Sequence, residues 1–510
     1  MKQPNFVLIM TDQQRADLRM AEGYPLDTMP FLDQMGQNGL DLEQAYTPNP
    51  TCMPARVSLF TGRYPQCHRV RTNHNRKDAY YYRDMLDVLK EEGYVTALCG
   101  KNHSHHEDSD FDYHVTNGHW GHEGGKMYTG AEEELANFLD RNRMESMIPS
   151  PGGVEAQHPY QNVTSAFRFI DEKTEGQPFF LWLSFAEPHN PYQVPEPYFS
   201  MFPPESLPPL HTLPGDADQK GNRFSWIRDR WQQMYGEDLE AHIQRDRSNY
   251  HGMLRLIDDQ VRRFVDGLEE RGLLEDTIVI FVSDHGDFVG EYGAMRKGPD
   301  LPEVLCRVPM VWMGRGIKRQ GRRNDCCVSL LDIFPTVCDL LGREIPFGVQ
   351  GRSLLPILRG EALPEKEFDT AYAESGFSGL YWGEEDQLTI EEEGAWVEGH
   401  EFDCLNTWTQ CGQVRMIRKG GYKLQLDMMG NGYMYHLSED PFERCNLYED
   451  PRYQETKTQL LAELSSCMMR AADPLPAPRY RYRVKRHPKG YWFQTYASDD
   501  PGVQDLTLKK

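Results

Sequence analysis

Cys52 and Arg56 stand four residues apart in Cys52-Met53-Pro54-Ala55-Arg56, and Val57 to Thr61 then runs into Gly62-Arg63. A thiol and a guanidinium at i, i+4 share one face of a helix. Pro54 suits a first turn, where a missing N–H costs nothing, and Gly62 suits the stop. A helix N-terminus attracts anions through its free N–H groups and its macrodipole. The spacing therefore predicts a first turn that gathers a nucleophile precursor, a cation and an anion cradle. A buried cysteine beside a surface arginine has the same C-x-x-x-R spelling, so residues elsewhere must decide between the two.

Four more polar clusters carry chemistry. Asp12, with Asp284 and His285, offers carboxylate oxygens and an imidazole to a divalent metal. Lys101 is a point charge suited to a tetrahedral anion, and His103 follows two residues later. His189, in Glu187-Pro188-His189, has a ring whose ordinary pKa suits protonation of a leaving group. His105, His106, Glu107 and Asp108 repeat no ligand spacing. They read first as solvated loop residues, with a second metal site as the alternative.

The elements that must position these residues are legible as short apolar runs. Asn5 to Thr11 ends at Asp12-Gln13, Tyr94 to Cys99 at Gly100-Lys101, Phe179 to Ala186 at Glu187, and Thr277 to Ser283 at Asp284. Near-continuous Val/Ile/Leu/Phe runs suit strands buried on both faces. Helical patterns over 83–92, 249–271 and 331–341 lie between them, each stopped by glycine. Strands alternating with helices predict an α/β domain with a largely parallel sheet, whose sites lie beyond the carboxyl ends of the strands. All four clusters fall at such ends.

After residue 360 the pattern changes. Short strands are expected over 414–417, 422–426 and 433–437, with turns at Gly420-Gly421 and Asn431-Gly432 and a helix over 453–469. The expected organisation is a catalytic domain over 1–365 and a C-terminal α+β subdomain over 366–470. An extended arm of Pro, Arg and Tyr over 471–510 would be open to self-association as a homo-oligomer. Residues 375–412 yield no assignment.

Cys-x-Pro-x-Arg with Ser58 and Thr61-Gly62-Arg63 resembles the signature of the type I sulfatases, in the alkaline phosphatase superfamily. Gly100-Lys101-x-His103, the His189 segment, Asp284-His285 and, more weakly, Tyr422-Lys423-Leu424 with Asp440-Pro441 and Asn446-Leu447 extend the resemblance. It implies a large mostly parallel mixed sheet sandwiched by helices. It also implies that Cys52 is oxidised by a sulfatase-maturation enzyme to Cα-formylglycine, whose hydrated aldehyde attacks sulfur. Arg56 and His103 would flank that group. Lys101 and Lys297 would bind sulfate, with Arg296 one register away, and His189 would face the leaving oxygen. Asp284 would take the proton from the hydrate.

The family metal, usually calcium with manganese or magnesium as alternatives, would be held by Asp12, Gln13, Cys52 as its modified form, Asp284 and His285. Gln13 departs from the family's second early aspartate, which leaves it a neutral oxygen ligand or a substrate contact. Asn73 is a substrate contact in some relatives. A phosphonate monoester or phosphodiester hydrolase of the same superfamily is the runner-up. Those relatives share Asp-Gln after the first strand and generally lack Gly-Lys-x-His.

Composition bounds the rest. A net charge of −23 excludes a nucleic-acid partner and requires any anion site to be a local basic pocket in an acidic body. Eleven scattered cysteines fit a reducing compartment. No run approaches a membrane span and no leader is legible, so the expectation is a cytoplasmic enzyme acting on a small sulfated substrate. A thiolate phosphatase would need Cys-x5-Arg. A sulfated-glycan binding protein with a decayed site is disfavoured, because every polar position still holds competent chemistry. Trp226, Trp231, Trp382, Trp396 and Trp408 could stack on a sugar or aryl ring or lie in the core.

Overall fold

The computed structural model describes residues 3–122, 128, 130–174, 176–298, 300–363, 366–383, 385–386 and 411–475. Its main sheet is built from β1 (Asn5–Thr11), β2 (Leu40–Tyr46), β3 (Val95–Gly100), β4 (Tyr113–Thr116), β5 (Phe179–Ser184), β6 (Thr277–Ser283), β7 (Met310–Gly314) and β8 (Gly321–Ser329). The strand order is β4-β3-β5-β1-β6-β7-β2-β8. The first five strands of that order run parallel, whereas β7 pairs antiparallel with both neighbours. The sheet is therefore mixed and mostly parallel.

Residues alternate faces along a strand, so β1 feeds two cores at once. Val7 and Ile9 join the apolar cluster shared with Phe169, Ile257 and Phe264, whereas Phe6, Leu8 and Met10 join Leu59, Leu89 and Phe334 on the other side. The helices on the two faces follow from this. We label α1 (Cys52–Thr61), α2 (Met85–Glu91), α3 (His158–Lys173), α4 (Leu239–Glu270) and α5 (Ile333–Leu340). Helices α3 and α4 cover the first face; α1, α2 and α5 cover the second.

A smaller sheet, in the order β12-β11-β10-β9, joins β9 (Thr370–Ser375), β10 (Val414–Lys419), β11 (Tyr422–Asp427) and β12 (Gly432–His436) in antiparallel pairs. Helix α6 (Gln454–Ala471) packs Leu460, Leu464 and Cys467 on Ile417, Leu424 and Met434. Lys423 pairs with Glu303 at 3.0 Å and Glu443 at 2.8 Å, and Lys220 pairs with Glu443 at 3.1 Å. These buried pairs tie the small sheet to the large one.

Several boundaries differ from expectation. Helix α4 begins at Leu239, ten residues before the sequence pattern, because its first turns bury Asp246, Arg247 and Ser248, which break the apolar stripe. The expected helix over 331–341 opens as a 3-10 turn, Leu330–Asp332, before α5. Strands β2 and β8, reading LDLEQAY and GRRNDCCVS, escaped the sequence pattern because they carry polar residues. Ten cysteines are free among the described residues. There, too, no helix is long and apolar enough to cross a membrane. Trp396, Trp408 and the arm beyond 475 lie outside the described residues.

Candidate active site

Register brings the polar clusters together. Thr11 stands opposite Ser283, Met10 opposite Ser184, and Gly100 opposite Ser184, so β1, β3, β5 and β6 end level. The ladder runs on past these ends. Asp284 N–H donates to the Thr11 carbonyl at 3.2 Å, Lys101 N–H to Ser184 at 2.9 Å, and Asp12 N–H to Glu187 at 3.2 Å. The side chains of Asp12, Lys101 and Asp284 are thereby fixed at one sheet edge.

Helix α1 brings the remaining group. Gly62 ends it at φ 62°, donating to the Ser58 carbonyl at 2.8 Å. All ten residues of the helix are buried, and Cys52 opens its first turn. The Cys52 sulfur lies 3.2 Å from His285 Nε2, 3.4 Å from Lys297 Nζ and 3.5 Å from Asp12 Oδ1. One turn along, fully buried Arg56 donates from Nε to Asp284 Oδ2 at 2.8 Å and from Nη2 to Asp12 Oδ2 at 3.1 Å. Its Nη1 serves the carbonyls of Lys101 at 3.2 Å and Asn102 at 3.1 Å and the Ser184 hydroxyl at 3.0 Å. Arg56 is thus a clamp across four strand ends, those of β1, β3, β5 and β6. Lys101 Nζ donates to Asp12 Oδ2 as well.

Asp12, Cys52, Asp284 and His285 offer ligand atoms that all lie within 4.8 Å of one another. Two observations fit this set to a cation. His285 Nδ1 donates to the Gly286 carbonyl at 2.8 Å, which turns the Nε2 lone pair inward. Gln13 donates from Nε2 to Asp287 at 2.5 Å, while its Oε1 is buried without a hydrogen-bond partner. Gln13 therefore presents a neutral oxygen, its backbone being held at φ 69°. Asp287 also accepts from the Tyr192 hydroxyl at 2.7 Å and from Val289 N–H at 2.8 Å. It orients Gln13 and was not singled out from sequence, although it stands in the same Asp-His-Gly-Asp cluster.

The electrostatics of the pocket follow from burial opposed by charge. Burial pushes the Asp12 carboxyl up, but Lys101, His189 and Arg56 hold it well below the usual carboxylate range. Burial, with Asp12 beside it, lifts Asp284 to about 6. Burial and Asp12 also push the Cys52 thiol up, yet Lys297, Lys101 and His285 outweigh them and hold it well below its ordinary value. Burial lowers His285, but Asp284 and Cys52 raise it to about 9, so a proton there does the neutralising that a cation would do.

His103, at φ 47°, is pushed by burial and Lys101 down to about 4. His189 corrects the sequence expectation of a near-neutral ring. Burial, His119 and Lys297 hold it well below the usual range, and its Nδ1 donates to the Asn190 carbonyl at 2.6 Å. Its Nε2 therefore carries the lone pair.

Other positions are settled by contact. Lys297 enters the pocket and its neighbour Arg296 turns to Met144, which fixes the register left open by sequence. Asn73 Oδ1 accepts Met53 N–H at 3.1 Å and so caps the first turn of α1. Trp231 lies in the core, while Trp226 and Trp382 are partly buried against it. His119 was missed by sequence. It accepts from Lys101 Nζ at 2.5 Å and stacks on His189 with ring centroids 3.8 Å apart. A histidine in the Gly-rich stretch Asn117-Gly118-His119-Trp120-Gly121-His122 gives no periodic signal.

The chain matches the family model described as Sulfatase over residues 4–343. It belongs to the sulfatase family. It is 31% identical over 393 residues to an arylsulfatase of Clostridium perfringens, covering 70% of this chain and 78% of the relative. It is 27% identical over 500 residues to the multifunctional alkaline phosphatase superfamily protein PehA of Trinickia caryophylli, covering 89% and 93% of the two chains. Among solved structures, the phosphonate monoester hydrolase of Agrobacterium radiobacter superposes with a TM-score of 0.76 at 21% identity, covering 95% of this chain and 100% of that one. That likeness shows the shared fold, and the sheets described above are those of the sulfatase and alkaline phosphatase class. The chain is a sulfatase, a hydrolase of sulfate esters.

Proposed function

We propose that this sulfatase cleaves an aryl or carbohydrate sulfate monoester at Cys52, converted to formylglycine, beside a divalent cation, calcium before manganese or magnesium. The observation that carries the reading is the setting of the Cys52 sulfur. It lies at the start of α1 with Lys297, His285 and Asp12 all within 3.5 Å. A hydrated aldehyde there supplies one hydroxyl to attack sulfur and a second to expel sulfate. A cation held by Asp12, Gln13, Asp284 and His285 would supply positive charge to the sulfate oxygens.

The remaining roles belong to side chains already placed. Lys297 and Lys101 give point charges to the sulfate oxygens and oppose the charge that develops on them. Arg56 holds Asp12 and Asp284 in position. His103 lies against the nucleophile, and Asp284 accepts its proton. His189 must first acquire a proton at Nε2 before it can pass one to the leaving oxygen. A bound anion beside the ring favours that protonation, as an opposite charge favours any charged form. Asn73 holds the first turn through Met53 N–H, and the maturation enzyme is the implied partner. Cys52 is 1% exposed, so that enzyme would have to act before α1 packs on the sheet.

Gln13, the departure that the phosphonate monoester hydrolases of the superfamily share in the resemblance drawn from sequence, favours one second reading, hydrolysis of a phosphonate monoester in the same pocket. One experiment separates the readings. Peptide mass spectrometry of Cys52, with and without a co-expressed maturation enzyme, is paired with kcat/KM for nitrophenyl sulfate, a sugar sulfate and a phenyl phosphonate ester. Activity is expected to follow formylglycine content, with sulfate preferred. Full activity from unmodified cysteine would remove the mechanism, and a preference for phosphonate would move the assignment. His189→Ala should slow sugar sulfates far more than nitrophenyl sulfate, because a good leaving group scarcely needs a proton.

A further inference from the structure

The loop that carries Lys101 and His103 continues into His105 and His106, and the fold turns both rings onto Asp84. Asp84 Oδ1 is already used: as the N-cap of α2 it accepts Asp87 N–H at 2.9 Å. Its other oxygen, Oδ2, is the meeting point of two imidazoles. It lies 2.8 Å from His105 Nε2 and 3.2 Å from His106 Nε2. The side chains of Asp84, His105 and His106 are only 1%, 3% and 6% exposed. Phe60, Tyr81 and Phe111 turn ring edges to the two histidines. One ligand atom from each residue of the trio lies within 4.8 Å of the others.

Hydrogen bonding does not close this cluster. His106 Nε2 and His105 Nδ1 are both buried and have no hydrogen-bond partner. On its other side, His106 Nδ1 faces Asp110 Oδ2 at 3.8 Å. A neutral imidazole has a single N–H, so His106 can serve Asp84 or Asp110 but not both. A cation at the focus of the two Nε2 atoms and Asp84 Oδ2 removes the conflict. It takes all three lone pairs and leaves the His106 N–H at Nδ1, directed at Asp110. That is the arrangement of carboxylate, histidine and metal by which outer groups orient a ligand. Ligands about 2.0–2.1 Å from a tetrahedral ion lie roughly 3.3 Å apart, so the two spacings to Asp84 Oδ2, 2.8 and 3.2 Å, need open by only tenths of an ångström. Two nitrogens and one oxygen suit zinc rather than calcium or magnesium. The Asp84 and Asp110 carboxylates match a charge of two.

We propose that Asp84, His105 and His106 form a second metal site, for Zn2+ or a similar nitrogen-preferring ion, with the fourth position open to water. It is separate from the Asp12–Cys52–Asp284–His285 cluster and does not depend on which ester that cluster cleaves. Its role is to pin the 101–106 loop to the start of α2, and with it the backbone that presents Lys101 and His103.

The test uses the full chain, free of any affinity tag, in an Asp12→Asn/Asp284→Asn background that silences the catalytic cluster. After chelation, the protein is reloaded with Zn2+ alone, passed through a desalting column and analysed for metal. About one equivalent should remain bound, and Co2+ in its place should give the absorption of a tetrahedral ion. His106→Gln and His105→Gln should each lose it. Asp110→Asn, at a half-exposed side chain, should keep the fold and weaken zinc binding by about 10- to 100-fold. The proposal is overturned if the silenced background holds no zinc, if His106→Gln holds as much, or if Asp110→Asn binds zinc unchanged.

Discussion

Replacing Arg56 with methionine tests whether the clamp holds the strand ends together. The side chain keeps much of its length and loses all five hydrogen bonds. Two of those end on Asp12 and Asp284, both with wholly buried side chains, so the change leaves two carboxylates short of a partner. Removing one member of a buried ion pair costs about 3–5 kcal/mol. The three bonds to neutral acceptors, two carbonyls and the Ser184 hydroxyl, add a smaller share, because contacts in one network do not sum.

Arg56→Lys keeps the charge but offers one point where the guanidinium offers a planar fork. It should lose about 1.5–3 kcal/mol, the worth of a charged hydrogen bond or so. The expected order of stability in urea unfolding, followed by tryptophan fluorescence, is wild type, then Lys, then Met. A divalent cation neutralises the same two carboxylates and should return part of the loss, about 2.7 kcal/mol at a hundredfold excess over Kd. A methionine variant within about 0.5 kcal/mol of wild type, the range of an ordinary surface change, would refute the clamp. So would a lysine variant no better than methionine.

Two further outcomes follow from the same geometry. In metal-stripped protein His285 has a folded pKa of about 9, above its unfolded value, so its stabilisation is complete below about pH 6.5 and is lost as pH rises through 9. Asp284, held up to about 6, titrates mostly below that window and overlaps only its acid end. Melting curves of chelated protein should therefore fall between pH 6.5 and 9 and flatten when the cation is restored; a flat chelated profile would contradict this. Asn73→Ala removes a cap on the first turn of α1 and should cost about 1 kcal/mol in stability. A raised KM at unchanged melting temperature would instead make Asn73 a substrate contact.

The parts legible in the sequence were those where chemistry and periodicity coincide. β1 and β6 were read to the residue, because runs buried on both faces are apolar throughout. Level strand ends were a consequence of parallel register, so Asp12, Lys101, His189 and Asp284 could be gathered without knowing the loops. Three of the five Arg56 bonds were not legible: their acceptors are two backbone carbonyls and a serine, which leave no spacing signal. The same holds for the Asp287–Gln13 pair, joined by two loops, and for the His119–His189 stack. The near-neutral expectation for His189 failed because residue type sets only the ordinary pKa, whereas burial beside Lys297 and a second imidazole sets the actual one. Asp84 was hidden in a helix cap and met His105 and His106 only through the fold.

An acidic chain that binds an anion needs its positive charge concentrated and dry. The net charge of −23 is spread over the sequence, and exposed charges are screened beyond about 8 Å at physiological salt. Arg56, Lys101 and Lys297 are 0%, 4% and 3% exposed and converge on one helix turn, where screening is weak. The Cys52 thiol reports the result. Burial and Asp12 both disfavour its anion, yet the surrounding cations win. A site that stabilises negative charge at that atom before any substrate arrives is already arranged for the charge that develops when a nucleophile there attacks a sulfate ester. Little reorganisation is then left for the transition state. The local field of the pocket, and not the net charge of the protein, decides which ester it can turn over.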